Sequence, residues 1–385
     1  MSQTVNSPGH RSVEHLIIGG GPAGSMVAIT LALAGHPVTL LEKERSAHHK
    51  VCGEFLSREA VDYLDRIGVA PRDLGAVPIR FLRLSSGSRA VETELPFPAL
   101  SLSRRVLDEA LLARAVSAGC NVQRGATVDS LTPHRDQWLA GLNGGESFSA
   151  KTVFLATGKH DLRGWTRDGG KQCDLVGFKL HWQLAPTQTE ALREWMELYL
   201  FAGGYGGLSL VEGDTANLCL VVQRSRLRAA GGWSRLLAAI LQSNPQLQQS
   251  LQGANPLWER PLAISPIPYG YLAGRSCGLW CVGDQFAAIP SFSGDGISIA
   301  MHSAALAAHF YLSGQSVAAY NRVLTAQLRP GMRLATWLSR AMVSLPGRSL
   351  APIAFKRFPN SLQWIATSTR IPPEALFETR RTGIA

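Results

Sequence analysis

The most informative scarcity in this chain of 385 residues is local: between Gly296 and Pro373 there is no aspartate or glutamate. The same stretch carries Arg322, Arg329, Arg333, Arg340, Arg348, Lys356, Arg357 and Arg370, so most of the formal net charge of +10 sits there. Leu334, Leu338, Ala341 and Leu345 recur at helical spacing, which makes this a basic amphipathic layer. The expectation is a solvated basic face over a buried stripe. The alternative is a layer docked on an anionic membrane surface or an acidic protein. No nucleic-acid-binding motif accompanies the charge, and no nucleic-acid partner is expected.

Other absences narrow the field further. The six cysteines, at 52, 120, 173, 219, 277 and 281, lack zinc-type spacing, so no metal site is expected. No run of residues reads as a membrane span. Gly296–Gly314 is uncharged but holds His302 and His309, which suits a buried helix with hydrogen-bonded histidines. Residues 1–13 are polar and show no secretory leader, which makes the cytoplasm the expected compartment, with the membrane periphery as the variant. There is no internal repeat. An apolar content of 45% is ordinary for a globular protein.

What is present begins with Ile17–Gly24, reading Ile-Ile-Gly-Gly-Gly-Pro-Ala-Gly directly after a short apolar strand. Gly19 suits a tight turn, Gly21 a close approach of backbone to pyrophosphate, and Gly24 the packing of helix on strand. Pro22 and Ala23 open a helix running to about Ala34, whose N-terminal N–H groups and dipole face that anion. Val38–Leu41 reads as the next buried strand. Glu42 at its end, with Lys43 beside it, can accept both ribose hydroxyls of an adenosine.

A second constellation lies far along the chain, from Val282 through Gly283, Asp284, Pro290, Gly294, Asp295 and Gly296 to Ile297. An acid at a strand end can hold the ribityl chain of a flavin. Eleven residues on, a Gly-x-Gly turn opening a helix places N–H groups where negative charge develops at the pyrimidine edge of a reduced flavin. Pro290 would shape the wall beside the ring. Together the two constellations indicate FAD rather than NAD.

Between them, residues 175–225 change to longer strands joined by glycine-rich turns, an antiparallel sheet facing substrate. The expected fold class is α/β, a Rossmann-like FAD-binding domain with an inserted antiparallel-sheet substrate domain and a helical C-terminal tail. The FAD-binding parts are placed at 1–77, 101–170 and 275–325, the substrate parts at 78–100 and 171–274, and the helical region at 326–385. Trp182, Tyr199, Phe201 and Tyr205 are either core aromatics of the sheet, the expected role, or pocket-lining residues. His48 and His49 are expected to meet solvent or phosphate.

On these residues the chain resembles the FAD-dependent oxidoreductases of the p-hydroxybenzoate hydroxylase fold, and among them the geranylgeranyl reductase-like branch. Lys50-Val51-Cys52-Gly53 resembles that branch's lysine–cysteine–glycine loop. Ser103 to Asp108 resembles its arginine-then-leucine-aspartate helix start, which implies that Arg104 contacts the cofactor. Phe154 to Gly158, with Arg163 beyond, resembles its turn near the FAD and the arginine that follows. The resemblance implies non-covalent FAD reduced by NADH or NADPH bound transiently. It makes Cys52 and Tyr205 the candidates for a role near the flavin, Cys52 equally as a packing residue. Departures are Gln285-Phe286-Ala287 after the aspartate, Asp295 between the glycines, and Gly204-Tyr205-Gly206-Gly207, which keeps a tyrosine and loses a bulky aromatic wall. The expectation is therefore an NAD(P)H-dependent flavin monooxygenase acting on a hydrophobic or aromatic small molecule. The alternatives are a flavin ene-reductase of an isoprenoid or other lipid, and a flavoprotein acting with a partner protein. A halogenase is disfavoured by the missing tryptophan–x–tryptophan–x–isoleucine–proline segment.

Overall fold

A computed structural model describes residues 9–273, 278–358 and 360–376, without the side chains of residues 345, 346, 348 and 349. Cys277 and the side chains of Leu345 and Arg348 thus lie outside the description. The chain begins with β1 (His10–Ile18), α1 (Pro22–Leu33) and β2 (Val38–Glu42). β1 and β2 are parallel, with Ile17 level with Leu40, and α1 is the crossover between them. This helix is apolar on all sides and accordingly buried along most of its length, against α3 and α8.

After a polar loop come β3 (Phe55–Leu56) and α2 (Arg58–Arg66), with Ser57 as its cap. The hairpin β4 (Val77–Ser86) and β5 (Arg89–Ser101) leaves this layer, and α3 (Arg104–Ser117), capped by Ser103, returns to it. β6 (Asn121–Arg124), β7 (Val128–His134), β8 (Gln137–Leu142) and β9 (Ser147–Leu155) follow. The first sheet runs β6-β2-β1-β9-β8-β7. Its central strands β1 and β9 are parallel, so Ile18 and Leu155 end side by side at one carboxyl edge.

The second sheet is built mainly from β10 (Leu175–Gln183), β11 (Glu194–Phe201), β12 (Gly204–Val211) and β13 (Thr215–Gln223), with α4 (Pro186–Leu192) between the first two. β11 pairs with β4, so the early hairpin and the later segment form one sheet, ordered β14-β10-β13-β12-β11-β4-β5-β3. Helices α5 (Arg224–Ala230), α6 (Trp233–Ser243) and α7 (Pro245–Ser250) precede the short strands β14 (Asn255–Pro256) and β15 (Leu262–Ile264). These three helices lie against one face of the sheet.

The glycine-rich run at 204–207 is thus a strand and not a turn. Gly206 is needed there, because a Cβ would lie 2.8 Å from the Leu220 side chain on β13. Side chains alternate strictly across this sheet. Val176, Phe178, Leu180 and Trp182 enter the core shared with α6 and α7. Gly177, Lys179 and His181 face the opposite way.

The remaining chain returns through β16 (Tyr271–Leu272), β17 (Trp280–Cys281) and β18 (Ala287–Ala288) to α8 (Gly296–Leu312), which packs on α1. α9 (Val317–Val343), α10 (Leu345–Arg357) and α11 (Asn360–Ser368) complete the described chain. The buried stripe of α9 is Tyr320, Leu324, Leu328, Met332, Ala335 and Val343. Leu334, Leu338 and Ala341, the expected stripe, are only half-buried. No helix among the described residues is long and apolar enough to cross a membrane.

Candidate functional site

The turn between β1 and α1 is shaped by close contacts that only glycine permits. Gly19 has φ +109°, and a Cβ on it would lie 2.4 Å from the Ala156 carbonyl oxygen. A Cβ on Gly24 would lie 1.9 Å from the Gly19 oxygen. Gly21 is different: the only atom near its missing side chain is Arg104 Nη2 at 3.4 Å. The start of α1 has no side-chain cap, and Pro22 removes one N–H, so the remaining N–H groups face an open, cationic margin. Glu42 is buried, with one oxygen accepting from Gly20 N–H at 2.8 Å and the other from Glu44 N–H at 3.0 Å. A carboxylate offers about four lone-pair positions, so two remain for a ribose diol. A narrow cavity beside it is lined by Ser46, Lys50, Asp108, Leu112 and Arg124. Lys43 is exposed and pairs with Glu44.

Arg104 grips Asp108 through two bonds of 2.7 and 2.8 Å, and Lys50 Nζ reaches the same carboxylate at 2.9 Å. Burial opposes ionisation of Asp108, but the charges of Arg104 and Lys50 outweigh it and hold the carboxyl below its usual range. The result is two cations fixed by one anion at the mouth of the glycine turn, leaving net positive charge for a pyrophosphate.

The flavin segment converges on this turn from the other end of the chain. Gly283 has φ +61°, and its N–H donates to Ser303 Oγ at 2.8 Å. Asp284 pairs with Lys159 at 3.2 Å, and that charge raises the lysine pKa against the opposing effect of burial. Gln285 donates to the carbonyls of Gly158 and His160, both at 2.9 Å, so this departure residue ties the Gly158 turn to the Asp284 turn. Arg163 is exposed. It is Arg167 that reaches Asp284, donating to its carbonyl at 2.6 Å.

Pro290 is buried ahead of the Gly294 bend at φ +75°. Gly296 has nothing within 4 Å of where a Cβ would sit, so backbone is open to a ligand at the start of α8. Ile297 is buried behind it. Asp295 turns away, pairing with Arg370 at 3.1 Å and leaving Oδ2 without a partner. Burial raises its pKa to about 6 despite Arg370.

The sheet supplies the facing wall. Cys52 is half-buried, its sulfur accepting from Glu54 N–H at 3.3 Å and its carbonyl from Asn217 Nδ2 at 3.1 Å. Gly53 has open space about it. Glu54, fully buried at φ +59°, is the hub between the two layers. One oxygen accepts from Lys179 Nζ and from Arg104 N–H, the latter at 2.7 Å; the other meets His181 Nε2 at 3.0 Å. Lys179 is fully buried as well. His181 stacks on Trp258 with centroids 4.8 Å apart, and half-buried His49 meets both rings. Burial, then the Lys179 and His181 charges, lowers the His49 pKa to about 4.

Comparison with known proteins agrees with this architecture. Residues 12–154 match the FAD binding domain family. The flavin-dependent brominase Bmp2 superposes with a TM-score of 0.74 at 18% identity, covering 95% of this chain and 96% of that one. The chondrochloren halogenase CndH gives a TM-score of 0.73 at 18% identity, covering 93% and 91%.

The chain is an FAD-dependent oxidoreductase of the p-hydroxybenzoate hydroxylase fold.

Two relatives in sequence span most of this oxidoreductase. A menaquinone reductase of Mycolicibacterium smegmatis is 24% identical over 322 residues, 78% of this chain and 76% of the relative. A digeranylgeranylglycerophospholipid reductase of Methanocaldococcus jannaschii is 25% identical over 304 residues, 74% and 73%. A second such reductase, from Methanopyrus kandleri, is 36% identical over 112 residues, 28% of each chain.

The oxidoreductase separates the residues singled out in the sequence into two groups. Gly19, Gly24 and Gly283 shape the two turns, Glu42, Gly21 and Arg104 lie at the first of them, Gln285 ties Gly158 to the turn of Asp284, and Gly53 and Gly296 have open space where a Cβ would sit. Lys43, Arg163 and the Asp295 carboxylate point elsewhere. Trp182, Tyr199 and Phe201 pack in the core under α6 and α7, while Tyr205 is on the cleft-facing side, bonded to Ser339 at 3.2 Å. Burial raises the Tyr205 pKa well above its usual value. His302 is buried between Tyr63 and Gln327, but His309 is exposed near the end of α8. Sequence reasoning missed Glu54, Lys179 and His181. The signal was there in Leu175–Leu184, where two basic residues break an apolar run at a spacing of two.

Proposed function

We propose that this protein reduces a carbon–carbon double bond or quinone of an apolar, isoprenoid-type substrate, with electrons from NADH or NADPH. The observation that carries it is the Glu54–Lys179–His181 cluster on the cleft-facing side of the sheet, beside the Cys52 loop. FAD, when bound, supplies hydride chemistry. Addition of hydride to a double bond leaves a site that must take up a proton, and a dry pocket needs a group to deliver it. Oxygen transfer to an apolar substrate needs no such group.

Lys179 Nζ is held against the Glu54 carboxylate, on the same row of the sheet as Cys219 and Gly207. Gly207 adds no side chain to that row, and the atoms nearest its missing Cβ belong to Leu198, Met196 and the Glu197 carbonyl. Leu198, Leu200 and Val221 make the neighbouring wall apolar. Lys179 is the proton donor in this arrangement. Glu54 positions it and stabilises its charge, and His181, reached from the half-buried His49, links the pair toward the surface. Arg104 and Lys50 bind the pyrophosphate, and Glu42 the ribose.

The two relatives that cover about three quarters of the chain are both reductases of long apolar molecules by name, which supports the same chemistry. The halogenases share the fold at 18% identity and do not select a reaction. The test is product analysis with menaquinone and with a prenylated glycerolipid under NAD(P)H. A gain of two hydrogens supports reduction. Incorporation of oxygen from dioxygen would overturn it in favour of a monooxygenase.

A further inference from the structure

Among the described residues, five of the nine large apolar side chains exposed to solvent lie in one part of the chain. Trp337 is 65% exposed, Leu350 59%, Ile353 49%, Phe358 64% and Trp364 58%. They belong to the end of α9, to α10 and its C-terminus, and to α11, which pack successively on one another.

The exposed positions fall on helix faces. On α9, Arg333, Trp337 and Arg340 follow at four and three residues; on α10, Leu350, Ala354 and Arg357 do the same, with Ile353 next to Ala354. Exposed Lys356 lies beside them, and the Arg357 guanidinium sits over the Phe358 ring. Apolar and cationic side chains are thus interleaved on the exposed faces of these helices, with no acidic residue anywhere between Gly296 and Pro373.

A solvated basic face does not require two tryptophans, a phenylalanine, a leucine and an isoleucine turned outward. A cluster of this kind marks an interaction site. Cations mixed with tryptophan at the polar–apolar boundary complement an anionic bilayer, where indoles settle at headgroup level and each cation meets lipid phosphate. We infer that this face docks the protein on an anionic membrane surface.

A cavity of about 540 Å³ opens at the edge of the same face, between Arg340 and Val343 on the last turn of α9 and Gln172, Gly203 and Arg226 opposite. Behind it, Gln172 accepts from Ser339, and Ser339 meets Tyr205 of the sheet. Membrane docking goes beyond the reduction chemistry and stands or falls separately from it.

The experiment is flotation of the FAD-loaded protein with vesicles of phosphatidylcholine alone and of phosphatidylcholine with one-third phosphatidylglycerol. Two double variants are compared: Trp337→Ser with Trp364→Ser, and Arg333→Gln with Lys356→Gln. All four side chains lie outside the cofactor cleft, and retained FAD content confirms the fold. Binding to the anionic vesicles is expected to exceed binding to neutral ones at least tenfold and to weaken as salt rises. Each double variant should lose about tenfold in partitioning. Absence of binding to anionic vesicles at low salt, equal binding to both compositions, or undiminished binding by both variants would overturn the inference.

Discussion

Replacing Glu54 by glutamine removes one negative charge from a site that water does not reach. Glu54 and Lys179 are both fully buried, and the Lys179 ammonium would be left without its counter-ion. Breaking a buried pair from one side costs about 3–5 kcal/mol, because the remaining charge stays desolvated. At about 2.1 cal/mol/K of unfolding entropy per residue, over 385 residues, this is a fall in Tm of about 4–6 °C. The assay is thermal unfolding followed by circular dichroism, on flavin-loaded and flavin-stripped protein, so that loss of bound FAD does not account for the shift.

The double variant Glu54→Gln with Lys179→Met should recover much of the loss, since no unpaired charge then remains. The pH dependence has a definite sign. Burial opposes ionisation of Glu54, but the His181 hydrogen bond and the Lys179 charge hold its folded pKa below the ordinary value. Its contribution is thus present above the unfolded pKa of about 4.3 and is lost as pH falls through the lower folded value. The Glu54→Gln penalty should be constant from pH 6 to 8 and shrink only in acid. A Tm change of less than about 1 °C, or strict additivity in the double variant, would refute the argued coupling.

Other expectations follow from single contacts. Gly24→Ala places a Cβ 1.9 Å from the Gly19 oxygen and should abolish FAD binding, read as the flavin absorbance of the purified protein. Lys179→Met should slow substrate reduction by about 10²–10⁴-fold, the usual worth of a general acid, while NAD(P)H still reduces the flavin at its normal rate; equal loss in both half-reactions would remove Lys179 from the proton step. Asp295, with its pKa raised from 3.8 to about 6 by burial, favours the protonated folded state. Stability from this group is full below the unfolded value and falls as pH rises toward 6. Asp295→Asn should flatten the wild-type decline in unfolding midpoint between pH 4 and 6.

The glycine turn after β1 was legible because it rests on backbone. Gly19 and Gly24 cannot carry a side chain where they stand, and a strand, turn and helix of such tight contacts leaves a local signature. The cleft-facing wall was less legible because it depends on which side of a strand a residue occupies. Trp182, Tyr199 and Phe201 drew notice by size, yet they pack under helices, while Lys179 and His181 on the other parity reach Glu54 across 125 and 127 residues of chain. Arg163 and Arg167 are separated by one loop whose path spacing does not reveal. The glycines at 204–207 imitate a turn because a strand pressed against Leu220 also needs a missing side chain. On α9 the buried stripe includes Thr336 and Ser339, so hydrophobicity alone misplaced the face.

The most direct test of the reductive account is rapid mixing of the fully reduced FAD-loaded protein, first with dioxygen and then, anaerobically, with a menaquinone. The account predicts slow reoxidation by dioxygen with no transient absorbing species, and reoxidation by the isoprenoid quinone at least tenfold faster. A transient absorbance on mixing with dioxygen, followed by oxygen transfer to an added aromatic substrate, would contradict it.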